Sequence, residues 1–224
     1  MMAVRMQEMP QSNFLMRWLT PAFTIIRTHR RAYLWLNGLY YGVMLLGILY
    51  TLYDATLQRM VTEAVGNAFR QDPLAAVGEA YVSGQTVRAI LLTFVINFFV
   101  GSGVTITLPS LIIPFSGLLM GAYRAVLWGL IYAPTSPELR MIFLPHLPTL
   151  LLEGQAYVLV LLGVVMQGRA LFAPRTVGAT TRRQGYWQGI KLTLQLYELV
   201  VLVLAVAAIY EVLEAAVLLA QLSQ

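Results

Sequence analysis

The stretch PTLLLEGQAYVLVLLGVVMQGRA, residues 148–170, decides the fold class of this chain, because Glu153 and Arg169 are its only charged residues. A helix needs about 20 mostly apolar residues to cross a hydrocarbon layer roughly 30 Å thick. Every backbone group inside lipid must also be hydrogen-bonded internally, which favours helices. We therefore predict an all-α, polytopic membrane bundle of five transmembrane helices. The other four predicted spans are residues 33–53, 89–107, 111–132 and 191–213.

The composition of the whole chain agrees with this prediction. Its 224 residues are 58% hydrophobic and 11% charged, and the mean hydropathy is +0.70. A single soluble core cannot bury that much apolar surface. The chain has no cysteine, which excludes disulfides and thiolate chemistry. The net charge of +5 raises the question of nucleic acid, but the distribution of the charges argues against such a partner.

Ten of the fifteen basic residues fall in two short blocks, and Glu8 is the only acid within them. By the positive-inside rule both blocks are cytoplasmic. Five spans satisfy this condition if the N-terminus is cytoplasmic and the C-terminus extracytoplasmic. We therefore expect a multi-pass protein of the bacterial inner membrane. The blocks are Arg5, Arg17, Arg27, Arg30 and Arg31, and Arg169, Arg175, Arg182, Arg183 and Lys191.

The segments outside the spans are predicted to be amphipathic helices. Residues 1–32 form a cytoplasmic basic segment, in which residues 12–31 either lie on the anionic inner surface or only anchor the first span. Residues 54–86 form an extracytoplasmic helical segment, with Asp72 and Pro73 as the cap and first turn of its second helix. Residues 33–224 make up a single transmembrane domain.

The connection between the second and third spans is the weakest part of this topology. A cytoplasmic turn is expected at residues 107–110, but it carries no charge. Pro109 and Pro114 leave open whether residues 107–114 form a simple turn or a re-entrant element.

Small residues recur every four positions in the third span. Such a ladder lets another helix backbone approach closely, which drives association in lipid. We predict that the third span is the centre of the bundle or of a dimer, and that a shorter pair in the first span forms its partner surface. The ladder is Gly117, Gly121, Ala125 and Gly129, and the pair is Gly38 and Gly42.

Arg124 stands beside that ladder near mid-span, where a charge costs about 2.5–3.5 kcal/mol and needs a partner. Glu153 lies at the most similar depth, about 8 Å below the outer end of its span against about 12 Å for Arg124. An intramembrane ion pair between them is therefore predicted. A separate polar stripe in the fifth span comprises Lys191, Gln195 and Glu198. Two interpretations stay open: a structural pair that fixes helix register, or a polar relay that also includes Asn97 and Glu198.

No enzyme motif is present. His29 and His146 each lack a second ligand at the spacing of a metal site. Ser116 lacks the first glycine of the GxSxG motif and would need His146, which is predicted in the loop before the fourth span. We predict no catalytic residue, no metal and no cofactor.

Several features, in this order, resemble the stage II sporulation protein M family of five-span bacterial membrane proteins. The resemblance covers most of residues 33–214. Three places in the sequence show it. These are Asn97 before a Gly-rich turn; LPH at 144–146 before a span that contains Glu153, Ala156 and Gly163; and AAIYE at 207–211. Ser116-Gly117 stands where the family has Asn-Gly. The matching positions are Asn97, Gly117, His146 and Glu153.

The resemblance implies a non-catalytic membrane scaffold or assembly subunit of a larger complex. Its expected partners are other membrane proteins and lipids, with a possible homo-oligomer. The alternative is a transport component, either a permease subunit or a channel-like oligomer, with a polar path through Arg124, Glu153 and Glu198.

Overall fold

The computed structural model describes residues 14–71 and 74–222, and this part of the chain is helical with short connections. A π-helical segment continues one of the helices, and a short 3-10 turn at Pro174–Val177 precedes the last one. The helices are α1 Phe14–Thr28, α2 Arg30–Tyr53, α3 Thr56–Ala68, α4 Ala75–Val82, α5 Thr86–Val95, the π-segment Ile96–Thr107, α6 Leu108–Ile112, α7 Ser116–Ile131, α8 Pro137–Phe172 and α9 Arg182–Leu222.

Helix α8 is the central helix of the bundle, and most of its apolar membrane-spanning part is buried. The Ser136 hydroxyl accepts a hydrogen bond from the Leu139 amide at 3.2 Å, and Pro137 occupies the first helical position. Both features favour a helix start there. Helix α9 packs antiparallel along α8, and a Cβ on Gly163 would lie only 2.9 Å from the Thr193 side chain. The α8–α9 pair thus forms the core against which the other helices pack.

Within the described residues, four helices are long and apolar enough to cross a membrane. These are Arg30–Tyr53, Thr86–Ile112, Pro137–Phe172 and Arg182–Ala220. The predicted third span, residues 111–132, is not one helix. Its helical part, Ser116–Ile131, has 16 residues, or about 24 Å of rise, which is shorter than the hydrocarbon layer.

The turn between the second and third predicted spans lies later than expected. Residues 107–110 are helical, and the chain reverses at residues 113–115 instead, where Phe115 has a left-handed backbone with φ 70°. The Ser110 hydroxyl accepts a hydrogen bond from the Gly117 amide at 2.7 Å across this turn. The Phe115 ring stacks on Phe172 at the end of α8. The side chain of Phe115, seated against α8, accounts for a non-glycine residue in this conformation.

Helices α2 and α7 cross at two glycines. A Cβ on Gly47 would lie 3.3 Å from the Cα of Gly129, and a Cβ on Gly129 would overlap the Met44 carbonyl. The first-span pair Gly38 and Gly42, predicted as the partner surface, is not at this crossing, because a Cβ on either would meet nothing within 4 Å. The close approach comes one to two turns later in the helix.

The other members of the α7 ladder are also buried. Gly117 lies against the backbone of Ile106, and a Cβ on Gly121 would lie 2.7 Å from the Leu161 side chain of α8. Ala125 is fully buried. The ladder therefore faces three different elements, namely the π-segment, α8 and α2.

The π-segment widens the turns of the second span. The hydroxyl of Ser102 donates to the Asn97 carbonyl at 3.1 Å, and the hydroxyl of Thr105 donates to the Val100 carbonyl at 2.7 Å. Both bonds reach back five residues, which matches the π register. π-helical turns are often found at functional sites. Here the segment starts next to Asn97.

The two predicted amphipathic regions are helical in the described residues. Ala22 and Ile25 of α1 are buried in the core, and α1 packs against α9, while Phe23 is half exposed. Helices α3 and α4 follow α2 at the opposite end of the bundle. The predicted Asp72–Pro73 cap, like residues 1–13, lies outside the described residues.

Candidate polar site inside the bundle

Four polar side chains from three elements meet in the middle of the bundle. Arg124 of α7 donates from Nη2 to the side-chain oxygen Oδ1 of Asn97 at 2.7 Å and to the Tyr157 hydroxyl at 2.5 Å. The Tyr157 hydroxyl donates to the same Asn97 oxygen at 2.8 Å. The Asn97 amide nitrogen donates to Glu153 Oε1 at 2.5 Å. We call Arg124, Asn97, Tyr157 and Glu153 the central cluster.

The sequence predicted a direct ion pair between Arg124 and Glu153, and the structure places Asn97 between them. Within the described residues, the ion pairs closer than 4 Å are Arg88–Glu79 and His146–Glu214. An amide can accept from a guanidinium and donate to a carboxylate at the same time. Asn97 therefore joins the two charges and brings the second span into the contact.

Aromatic rings enclose the Arg124 guanidinium. Its Cζ lies 4.2 Å from the centroid of the Tyr157 ring and 4.9 Å from that of Trp128. Cation–π contacts of this kind become stronger when water is excluded. A Cβ on Gly101 would lie 2.9 Å from the Tyr157 hydroxyl. The glycine of the π-segment thus gives Tyr157 the space to reach Arg124 and Asn97.

A cavity of about 490 Å³ reaches this cluster. Its walls come from α3, α4, α5, the π-segment, α7, α8 and α9, and most of them are apolar. Arg124, Asn97 and Glu153 line it on one side, and Glu211 of α9 contributes a further carboxylate. Phe69, which follows α3, and Leu74, which precedes α4, also line it.

Two N–H donors beside the cavity have no hydrogen-bond partner among the residues that the structure describes. These are Nε of Arg124 and the indole nitrogen of Trp128, and both atoms are buried. The indole lies close to Glu153, but outside hydrogen-bonding geometry. A buried donor without a partner costs about 1–3 kcal/mol. Both donors belong to residues that line the cavity.

His146 also lines the cavity, and its position differs from the prediction. It lies inside α8 and is buried, because the helix begins at Pro137 and continues through Pro145 and Pro148. Its Nδ1 is 3.1 Å from Glu214 Oε2, and its ring stacks on Tyr132 with centroids 4.1 Å apart. Ser116 begins α7 and Tyr132 follows its other end, so Ser116 and His146 do not form a hydrolase pair.

The fifth-span polar stripe does not belong to this cavity. Lys191 is exposed, and Gln195 and Glu198 are partly exposed, while none of the three lines the cavity. Glu198 Oε2 is buried without a partner. Among the four residues that carry the family resemblance, Asn97, His146 and Glu153 line the cavity, and Gly117 lies at the turn before α7.

Sequence reasoning missed Tyr157 and Glu214, and it noted Glu211 only as the end of the AAIYE stretch, without a role in the site. Tyr157 follows Glu153 by one helical turn, so its shared face with Glu153 was a usable signal. The predicted fifth span ended at residue 213, which left the two acids at or beyond the membrane boundary. In the structure α9 continues to Leu222, and both acids pack inside the bundle.

A second polar network links α2 to α8, and it was also missed. The Tyr33 hydroxyl donates to the Gln155 side chain at 2.5 Å, and the Gln155 amide donates to Asn37 at 2.6 Å and to the Tyr41 hydroxyl at 3.0 Å. None of these residues lines the cavity beside the central cluster. This network fastens α2 to α8 and does not border that cavity.

Comparisons with protein families, curated proteins and solved structures find no match for this chain. In the described residues, three or more His, Asp or Glu side chains do not come together as metal ligands would. The geometry of the cavity is therefore the basis of the functional argument.

Proposed function

We propose that this protein is a ligand-binding component of a bacterial membrane transport system, and that its ligand occupies the cavity beside the central cluster. The observation that carries this proposal is the cavity of about 490 Å³ that ends at Arg124, where two N–H donors lack a partner. Ligand sites are typically apolar cavities of about 300–1,000 Å³ with a few convergent polar groups. This cavity fits that description.

The Gln155 network serves as an internal comparison. A group of polar side chains that only fastens helices needs no free donors and no cavity, and the Gln155 network has neighbours that accept its amide hydrogens. The central cluster differs in both respects. Its apolar walls and free donors favour an amphipathic ligand that presents a hydrogen-bond acceptor to Arg124 and Trp128.

The charge pattern supports an extracytoplasmic position for this cavity. Arg27, Arg30 and Arg31 of the first basic block and Arg169 of the second line one pocket at the same end of the bundle. By the positive-inside rule that end faces the cytoplasm. We propose five passes in the inner membrane, with α7 as a short third pass, the N-terminus inside and the C-terminus outside.

Native mass spectrometry of the full-length protein, extracted from its own membrane in a mild detergent, tests the binding role. We expect one amphipathic molecule to remain on the wild-type protein and to be lost from Arg124→Gln and reduced in Trp128→Phe. Arg88→Gln is the matched control, because Arg88 is exposed and pairs with Glu79 outside the cavity. Equal occupancy in all variants, or no bound molecule in the wild type, would contradict the proposal.

A scaffold or assembly subunit is the second candidate, and it is also the role implied by the resemblance to the stage II sporulation protein M family. The observation that favours it is the apolar surface of the outer helices, where Met60 is 63% and Val82 85% exposed. Other membrane proteins, lipids or a second copy of the chain would cover this surface. A stoichiometric protein partner that co-purifies, and is lost with Met60→Lys, would support this role.

A further inference from the structure

A second pocket, of about 340 Å³, lies at the opposite end of the bundle from α3 and α4, between α1, α2 and α8. The turn that joins α1 to α2 supplies Arg27, Arg30 and Arg31, and the last turn of α8 supplies Arg169. Arg169 follows Arg31 in the sequence by more than 130 positions. The fold brings both basic blocks to one place.

The lining of this pocket contains four arginines and no acidic residue. Within residues 14–71 and 74–222, the carboxylates that form ion pairs are Glu79 and Glu214, and they pair with Arg88 and His146. The four guanidinium groups thus have no counter-charge supplied by a neighbouring side chain of the described chain.

Two further features of the turn favour an anion. Helix α2 starts at Arg30 and has 24 residues, and no side chain caps its first turn, so the positive end of its helix dipole lies at this turn. Burial, followed by the charge of Arg169, lowers the pKa of the neighbouring His29. A neutral His29 leaves the arginines as the groups that carry the positive charge.

We propose that this pocket binds the phosphate of an anionic group at the cytoplasmic membrane surface, with Arg31 and Arg169 on opposite sides of it. Guanidinium groups match phosphate oxygens in pairs of parallel hydrogen bonds. The position favours a phospholipid headgroup as the source of the phosphate, because α2 begins a membrane-spanning helix at this point and Trp18 and Phe23 of α1 expose apolar surface nearby. Basic pockets on the cytoplasmic side of membrane helices are suited to such headgroups.

Binding of soluble short-chain lipids to the full-length protein in a neutral detergent tests this site. We expect a short-chain phosphatidylglycerol to bind and a short-chain phosphatidylcholine to bind much more weakly. Each arginine near an anionic surface contributes about 1 kcal/mol, so Arg31→Gln with Arg169→Gln should weaken binding about 30-fold. Arg169→Lys should retain more of the binding than Arg169→Gln, since it keeps the charge.

The matched control is Arg175→Gln with Arg183→Gln, which removes two exposed arginines from the same end of the bundle but outside the pocket. We expect this variant to bind like the wild type. Competition by inorganic phosphate would identify the phosphate group itself as the bound chemistry, and a much tighter lipid would identify the headgroup as its source. Equal losses in the pocket and control variants, or equal binding of phosphatidylcholine, would overturn the proposal.

Discussion

The Asn97 amide donates a hydrogen bond to the Glu153 carboxylate at 2.5 Å while its carbonyl oxygen accepts one from Arg124 at 2.7 Å. One neutral side chain therefore satisfies a cation and an anion that lie in different helices. This arrangement holds the second span, α7 and α8 in a single register, and it leaves one side of the cluster open to the cavity.

Replacement of Asn97 by leucine should destabilise the bundle. Arg124 and Glu153 would each lose a partner, and a charged group that loses a hydrogen bond costs about 1.5–3 kcal/mol. We expect thermal unfolding in detergent to shift to a lower temperature by several degrees. Phe99→Leu is the control in the same segment, because Phe99 is 58% exposed. An Asn97→Leu protein as stable as the Phe99→Leu protein would show that the link is not needed.

The α2–α7 crossing predicts that alanine substitutions at two glycines change the free energy of unfolding by different amounts. Gly129→Ala places a methyl group on the Met44 backbone and should cost about 1–3 kcal/mol of unfolding free energy, as overpacking does. Gly38→Ala should be neutral or stabilising, because its Cβ meets nothing within 4 Å. Chemical unfolding of the two variants in the same detergent measures the difference. Equal stabilities would be inconsistent with a close crossing at residue 129.

Helix α3 is attached to the end of α7 by one buried side chain. Gln58 donates to the Ile131 and Ala133 carbonyls at 3.2 and 2.9 Å and accepts from the Thr135 hydroxyl at 2.5 Å. Gln58→Ala should therefore release α3 and increase hydrogen exchange throughout Thr56–Ala68. The neighbouring exposed change Arg59→Ala should leave exchange unchanged. Uniformly slow exchange in both variants would mean that other contacts hold α3.

Much of the architecture could be predicted from the sequence, because long apolar runs and clustered arginines are local signals. The departures include the turn after the second span, the short α7 and the start of α8, where hydropathy placed the span at residue 148 and His146 was predicted in a loop. Ser136 and Pro137, the cap and the first residue of α8, were the local signal for the earlier start. Pro145 and Pro148 lie inside the helix, which is tolerated where neighbouring groups satisfy the backbone carbonyls that a proline leaves free.

The site was less predictable, since its contacts join residues far apart in the chain. Arg124 and Glu153 were recognised because a charge in the membrane needs a partner. The role of Asn97 as the link was not recognised. The depths of Arg124 and Glu153 in the membrane do not show whether a side chain from a third helix lies between them. Glu211 lies within the predicted fifth span and Glu214 one residue beyond it, and neither was predicted as a site residue. The structure places Glu211 in the cavity lining and Glu214 beside His146 of α8.

The absence of cysteine from the native chain allows the proposed orientation to be tested by labelling. Ser83→Cys and Thr176→Cys each place one thiol at an exposed position, on opposite ends of the bundle. A maleimide that cannot cross membranes should label Ser83→Cys in cells whose outer membrane and wall have been removed and whose inner membrane is intact. It should label Thr176→Cys only after the inner membrane has been permeabilised. The reverse labelling pattern would show that the protein has the opposite orientation in the membrane.

The same approach tests the cavity most directly. Leu127 lines the cavity one turn from Arg124, whereas Leu130 of the same helix is 3% exposed and does not line it. We predict that a small, charged thiol reagent applied from the extracytoplasmic side modifies Leu127→Cys and leaves Leu130→Cys unmodified in folded protein. An unreactive Leu127→Cys, or equal reaction at both positions, would contradict an open binding cavity at Arg124.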